Sequence, residues 1–84
     1  MKSNPEKRLN VISNIVRGKN YLTRYNETYE LDEVGLRIWE LCDGSHTVEE
    51  IAEILTKEYD VAYEKVLADC QEYVEDLTAK GLLE

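Results

Sequence analysis

The sequence predicts an α+β domain, winged helix-turn-helix-like in outline, with a three-stranded antiparallel sheet followed by three helices. Three observations carry that prediction. The chain has 84 residues and 43% hydrophobic content, enough for one modest core. Its apolar period changes from 2 to 3.6 at Leu31-Asp32, so strand and turn character precedes that point and helical character follows it. No repeat, low-complexity segment or linker divides the chain, so a run of strands and then a run of helices belong to one unit.

Residues 1–8 are polar, hold the only proline (Pro5) and are expected as a flexible N-terminal arm, with the domain spanning residues 9–84. Leu9 to Arg17 is rich in branched apolar residues and predicts the first strand. Val11, Ser13 and Ile15 point one way and Ile12, Asn14 and Val16 the other. Both faces are half apolar, so a bulge and a strand covered on both sides stand equally open. Gly18-Lys19-Asn20 is a turn signal, Tyr21 to Tyr25 a second strand, Asn26-Glu27 a short hairpin turn and Thr28 to Leu31 the third strand. Adjacency makes these a meander.

Asp32 then offers its carboxylate as the N-cap of a helix over Glu33 to Cys42, closed by Asp43-Gly44. Thr47-Val48-Glu49-Glu50 is a capping box, so a second helix starts at Val48 and turns Ile51, Ile54, Leu55 and Tyr59 inward. A third runs from Tyr63 to Lys80 with Val66, Leu67, Cys70, Tyr73, Val74 and Leu77 on one stripe. Gly81 ends it, and Leu82 and Leu83 are expected to fold back onto the core.

Charge narrows the partners. Lys plus Arg total 10 against 18 Asp plus Glu, a net charge of −8, so a phosphate backbone is repelled unless a local patch overrides the total. The basic residues Lys2, Lys7, Arg8, Arg17, Lys19 and Arg24 precede the predicted helices, and most of the acid lies within them. That acidic surface reads first as solubilising and second as a face toward basic groups. Cys42 and Cys70 both fall on apolar helix faces, and no signal peptide or membrane-length apolar span is present. Reduced, buried thiols in a cytoplasmic protein fit these facts better than a disulfide between helices.

Catalytic chemistry is missing. His46, the single histidine, has no Cys or His partners at ligand spacing, so no metal site is expected. The 4 glycines are scattered, which leaves no phosphate-cradling loop and no expected cofactor. Glu49, Glu50 and Glu53 make a solvated helix face rather than an acid–base pair. With no nucleophile, base and oxyanion donors together, the chain is expected to bind rather than catalyse. The 6 tyrosines suit peptide contact, although core and hairpin packing account for most of them.

An ordered set of short fragments resembles the PqqD family, named for a small protein of pyrroloquinoline quinone biosynthesis. They are Leu31-Asp32, Ile38-Trp39, Asp43-Gly44, Thr47 to Ile51, Tyr59-Asp60 and Lys80 to Leu83, spread over Tyr21 to Glu84. The segment from Val34 to Leu41 also resembles the stand-alone leader-binding proteins of lasso-peptide pathways. The resemblance implies a recognition element for ribosomally synthesised, post-translationally modified peptides. Such an element binds the leader of a precursor as an added strand against its third strand, in a groove walled by the third helix. It presents that leader to a partner, a radical S-adenosylmethionine (SAM) maturase or a leader peptidase/cyclase. Carried onto this chain, the groove takes Thr28, Tyr29, Glu30 and Leu31 from the strand and Val66, Asp69, Cys70 and Tyr73 from the helix, with Asp69 placed to pair with a basic leader residue. Neither nucleic acid nor membrane is an expected partner, and the protein is expected as a monomer or weak homodimer. The rival reading is a winged-helix DNA-binding transcriptional regulator. Its reading helix would be the third, which carries Glu64, Asp69, Glu72, Glu75 and Asp76 against Lys65 and Lys80, a poor match to phosphates.

Overall fold

In the computed structural model, which describes residues 4–84, strands β1 (Val11–Val16), β2 (Lys19–Arg24) and β3 (Glu27–Leu31) form one antiparallel sheet in the order β1-β2-β3. Both hairpins turn one residue earlier than the sequence signals suggest. Arg17 and Gly18 occupy the first turn with φ of 53° and 79°, the two left-handed positions a tight hairpin needs, which lets Lys19 and Asn20 join the strand. Tyr25, at φ 57°, opens the second turn. The register runs unbroken from Val11↔Arg24 to Val16↔Lys19 and from Asn20↔Leu31 to Arg24↔Glu27. β1 is therefore neither bulged nor covered on both faces: only Val11 packs toward the core, and Ile12, Ile15 and Val16 are exposed.

Helices α1 (Glu33–Leu41), α2 (Val48–Tyr59) and α3 (Tyr63–Ala79) follow. Asp32 caps α1, its Oδ1 accepting the Gly35 N–H at 2.7 Å. The capping box of α2 closes in both directions: Thr47 Oγ1 accepts the Glu50 N–H at 3.1 Å, and Glu50 Oε1 accepts the Thr47 N–H at 2.8 Å. Gly81, at φ 78°, reverses the chain after α3, and the Leu82 N–H reaches back to the Leu77 carbonyl at 2.9 Å. Leu82 and Leu83 are fully buried, the fold-back the sequence predicts.

The core lies between one sheet face and the helices. Alternation turns Leu22 and Leu31 inward, where they meet Ile38 and Trp39 of α1, Ile51 and Leu55 of α2, and Leu77 of α3. α3 packs most closely on α2 and stands further from β3, which leaves the sheet edge and the helix separated by a groove.

Asn4–Arg8, five of the eight residues of the expected arm, are held by main chain on both sides; residues 1–3 lie outside the described residues. Pro5 is buried, and its carbonyl accepts the Gly44 N–H at 2.9 Å. The Glu6 carbonyl accepts the Glu84 N–H at 2.8 Å, and the Arg8 N–H donates to the Leu82 carbonyl at 3.1 Å. Lys7 adds hydrogen bonds to the Glu40 and Cys42 carbonyls and lies 5.4 Å from the Trp39 ring centroid. Composition says little about such contacts, because three of them are main-chain hydrogen bonds, which any polar sequence can supply.

Candidate functional groove

β3 is paired on one side only. Its register fixes which groups are free. Arg24↔Glu27 flanks a two-residue turn and exchanges hydrogen bonds, so the alternation of antiparallel pairs turns the N–H and C=O of Glu27, Tyr29 and Leu31 toward β2. The main-chain groups of Thr28 and Glu30 face the open edge instead. Their side chains lie on the outer sheet face: the Thr28 hydroxyl is 3.3 Å from that of Thr23, and Glu30 is 4.0 Å from Lys19 Nζ. Tyr29 and Leu31 supply the inner face, Leu31 buried in the floor and Tyr29 half-buried at the border. The Tyr29 hydroxyl donates to Glu27 Oε1 at 3.0 Å, which together with desolvation raises its pKa, and Lys80 Nζ stands 5.0 Å from its ring centroid.

Across the groove, Glu72, Tyr73 and Asp76 of α3 line an open cleft of about 390 Å³. Asp76 Oδ2 accepts from Lys80 Nζ at 2.7 Å, which closes the Tyr29 end with an ion pair. Tyr73 closes the other end. Its hydroxyl donates to Asp32 Oδ1 at 2.7 Å, the same oxygen that caps α1. Gly35 admits the ring: a Cβ there would lie 2.7 Å from Tyr73 Cε1. Burial first, and the Asp32 hydrogen bond second, push the Tyr73 phenol up to about 12, so it stays a donor at neutral pH.

The helix residues that the resemblance implies therefore separate. Tyr73 borders the groove beside β3. Val66 and Cys70 are buried, and with Asp69 they border a small, mostly apolar cavity of about 150 Å³ against Val34, Ile38 and Leu55. Asp69 sits exposed at that cavity's rim. Of the residues that the sequence reading left out, Asp76 and Lys80 continue Tyr73's face at i+3 and i+7, and Glu72 stands one turn before Asp76 on the flanking row. Asp32 and Gly35 were legible only as cap and helix, because their second role depends on a residue forty positions away.

Both cysteines are free and buried. Burial pushes the Cys42 thiol up to about 12 and the Cys70 thiol up to about 11, far from a nucleophilic thiolate. Among the described residues no group of three His, Cys, Asp or Glu side chains could hold a metal ion. No helix of the described residues is long and apolar enough to cross a membrane.

Residues 4–83 match the family model of coenzyme PQQ synthesis protein D (PqqD). A curated relative, the bifunctional coenzyme PQQ synthesis protein C/D of Methylorubrum extorquens, is 35% identical over 69 residues, covering 82% of this chain. The chain spans only 18% of that relative's length. Two solved structures share the fold at 30% identity. One is TbiB1 in complex with the TbiA(beta) leader peptide, with a TM-score of 0.81 over 94% of each chain. The other is the solution structure of the PqqD truncation of Methylobacterium extorquens PqqCD, a functional and stand-alone recognition element for ribosomally synthesised and post-translationally modified peptides. It matches with a TM-score of 0.82, covering 95% of this chain and 87% of that one.

Proposed function

The chain belongs to the PqqD family, and from that premise we propose that it binds the leader segment of a ribosomally synthesised precursor peptide by strand addition at β3. The observation that carries this reading is the free β3 edge, with the outward N–H and C=O groups of Thr28 and Glu30 beside an open cleft on α3. An unpaired edge is a template for an extended peptide: main-chain bonds give affinity, and alternate side chains give specificity. Leader side chains on the inner face meet Tyr29, Tyr73 and the acidic pair Glu72 and Asp76. The likeness to a leader-peptide complex supports the same reading. The bound leader is presented to a modifying partner, a radical SAM maturase or a leader peptidase/cyclase. The protein acts by binding, and the chemistry belongs to that partner. A nucleic-acid role is disfavoured by the acid on α3 and the net charge of −8.

The test is hydrogen exchange and chemical-shift mapping with synthetic leaders taken from short precursor genes neighbouring its own. Saturating leader is expected to protect the Thr28 and Glu30 amides and to shift Tyr73. Saturable binding that leaves those two amides unprotected would remove strand addition at β3.

A further inference from the structure

The sheet has a second free edge, on β1, and four of the six large hydrophobic side chains exposed among the described residues lie on or beside it. Ile12 is 61% exposed, Ile15 71% and Val16 50%, and Leu9 beside the strand is fully exposed. Val11–Val16 contains no charged residue, proline or glycine, the devices that normally protect an edge strand. We propose that this edge pairs antiparallel with the β1 edge of a second copy of the chain, about a two-fold axis at Asn14, joining two sheets into one.

The register argues for that occupant. Val16↔Lys19 flanks the first two-residue turn and exchanges hydrogen bonds, so Ser13 and Ile15 turn their N–H and C=O groups to the free side. A two-fold perpendicular to the sheet keeps inner faces together, which requires each residue to meet one of the same parity. Centred on Asn14, Ser13 meets Ile15 of the second copy and Ile15 meets its Ser13, so the free donors and acceptors match one to one. On the outer face Ile12 meets Val16 of the second copy, and Asn14 meets Asn14. Centring on Ser13 or Ile15 sets aliphatic side chains against Asn14 instead. Beside Ser13 the inner face holds a cleft of about 320 Å³ bordered by Leu36, Asn20 and Glu40, and the second copy's Ile15 arrives at its mouth. No charged residue falls opposite a like charge, since Arg17 meets Val11. The β3 edges stay free at the two ends of the joined sheet, so the dimer and leader binding are independent.

Sedimentation equilibrium over a wide concentration range is expected to show the mass rising from one chain to two. Ile15→Lys, at an exposed position, should stay at one chain with unchanged circular dichroism and unchanged leader titration. Register is read by cross-linking: Asn14→Cys places two thiols in a non-hydrogen-bonded pair and should oxidise to a disulfide-linked dimer, whereas Ile12→Cys should not. A wild-type chain that stays at one-chain mass overturns the proposal, as does a dimer that survives Ile15→Lys or an Ile12→Cys variant that links as readily as Asn14→Cys. Failure of the leader to bind would count against strand addition at β3 alone.

Discussion

Tyr73 ties three features together: the end of β3, the cap of α1 and the wall of α3. Tyr73→Phe keeps the ring on Gly35 and removes only the hydroxyl, so it should cost about 1 kcal/mol in urea unfolding at neutral pH, the usual worth of one hydrogen bond. Its alkaline signature is more specific. A phenol raised from 10.0 to about 12 on folding stabilises the native state fully below pH 10, and that contribution is lost as pH climbs through about 12. Wild type should therefore lose stability across that window, and Tyr73→Phe should lose less. Equal alkaline slopes for the two proteins would separate the raised phenol from Tyr73. Gly35→Ala approaches the same contact from α1. Helix propensity favours Ala by about 1 kcal/mol, but the new Cβ displaces the Tyr73 ring. The variant should fold well yet titrate its tyrosines at lower pH, because the ring has left Asp32. None of this was visible in sequence, where Tyr73 is one member of an apolar stripe and Gly35 an ordinary helical glycine.

Elements were more legible than sites, for a physical reason. The period change at Leu31-Asp32, the Asp32 cap and the Thr47 capping box are local, set by residues within four positions of each other. Thr47→Ala should accordingly cost about 1 kcal/mol by thermal or urea unfolding. Hairpin register is less local, since a turn moved by one residue reverses which groups face outward. With Thr28 to Leu31 read only as an edge strand from the meander order, Leu31→Pro is expected to remove an edge donor and weaken leader binding. The observed pairing of Leu31 with Asn20 points its N–H into the sheet, so Leu31→Pro should break the β2–β3 ladder and unfold the domain. Glu30→Pro is the informative variant. Its lost N–H faces the open edge, a position where proline is tolerated, so the fold should persist while leader affinity falls about tenfold, the worth of one main-chain bond. A folded Glu30→Pro protein with wild-type affinity would show that the leader does not use this edge. The helix wall divides along the same line. Val66 and Cys70 enter the groove only through the family resemblance, and their apolar stripe is wide enough that one side enters the core and the other borders the groove.

The molecule as a whole is fastened at its two ends rather than at the sheet. Three main-chain hydrogen bonds join Pro5, Glu6 and Arg8 to Gly44, Glu84 and Leu82, and Lys7 crosses to the α1 C-terminus. These contacts seal the Leu82–Leu83 turn and the α1–α2 loop, both of which border the core. In a domain of this size the net stability is about 5 kcal/mol, and each hydrogen bond contributes about 1 kcal/mol. Removing residues 1–8 deletes three such bonds and uncovers fully buried leucines, so the truncated chain should lose most of its stability and melt far below the full chain. The groove makes the complementary prediction. Among the described residues, the hydrogen bonds and bridges of the segment go to the end of α1, the α1–α2 loop and the chain after Gly81 rather than to β3 or Tyr73, so the truncated protein, wherever it remains folded, should bind leader with the affinity of the full chain. Saturating leader should then raise its melting temperature, because a ligand that binds only the native state stabilises it by mass action. A truncated chain that melts with the full one would return residues 4–8 to the role of a loose arm. One that stays folded but loses leader affinity would instead place the N-terminal segment inside the recognition surface.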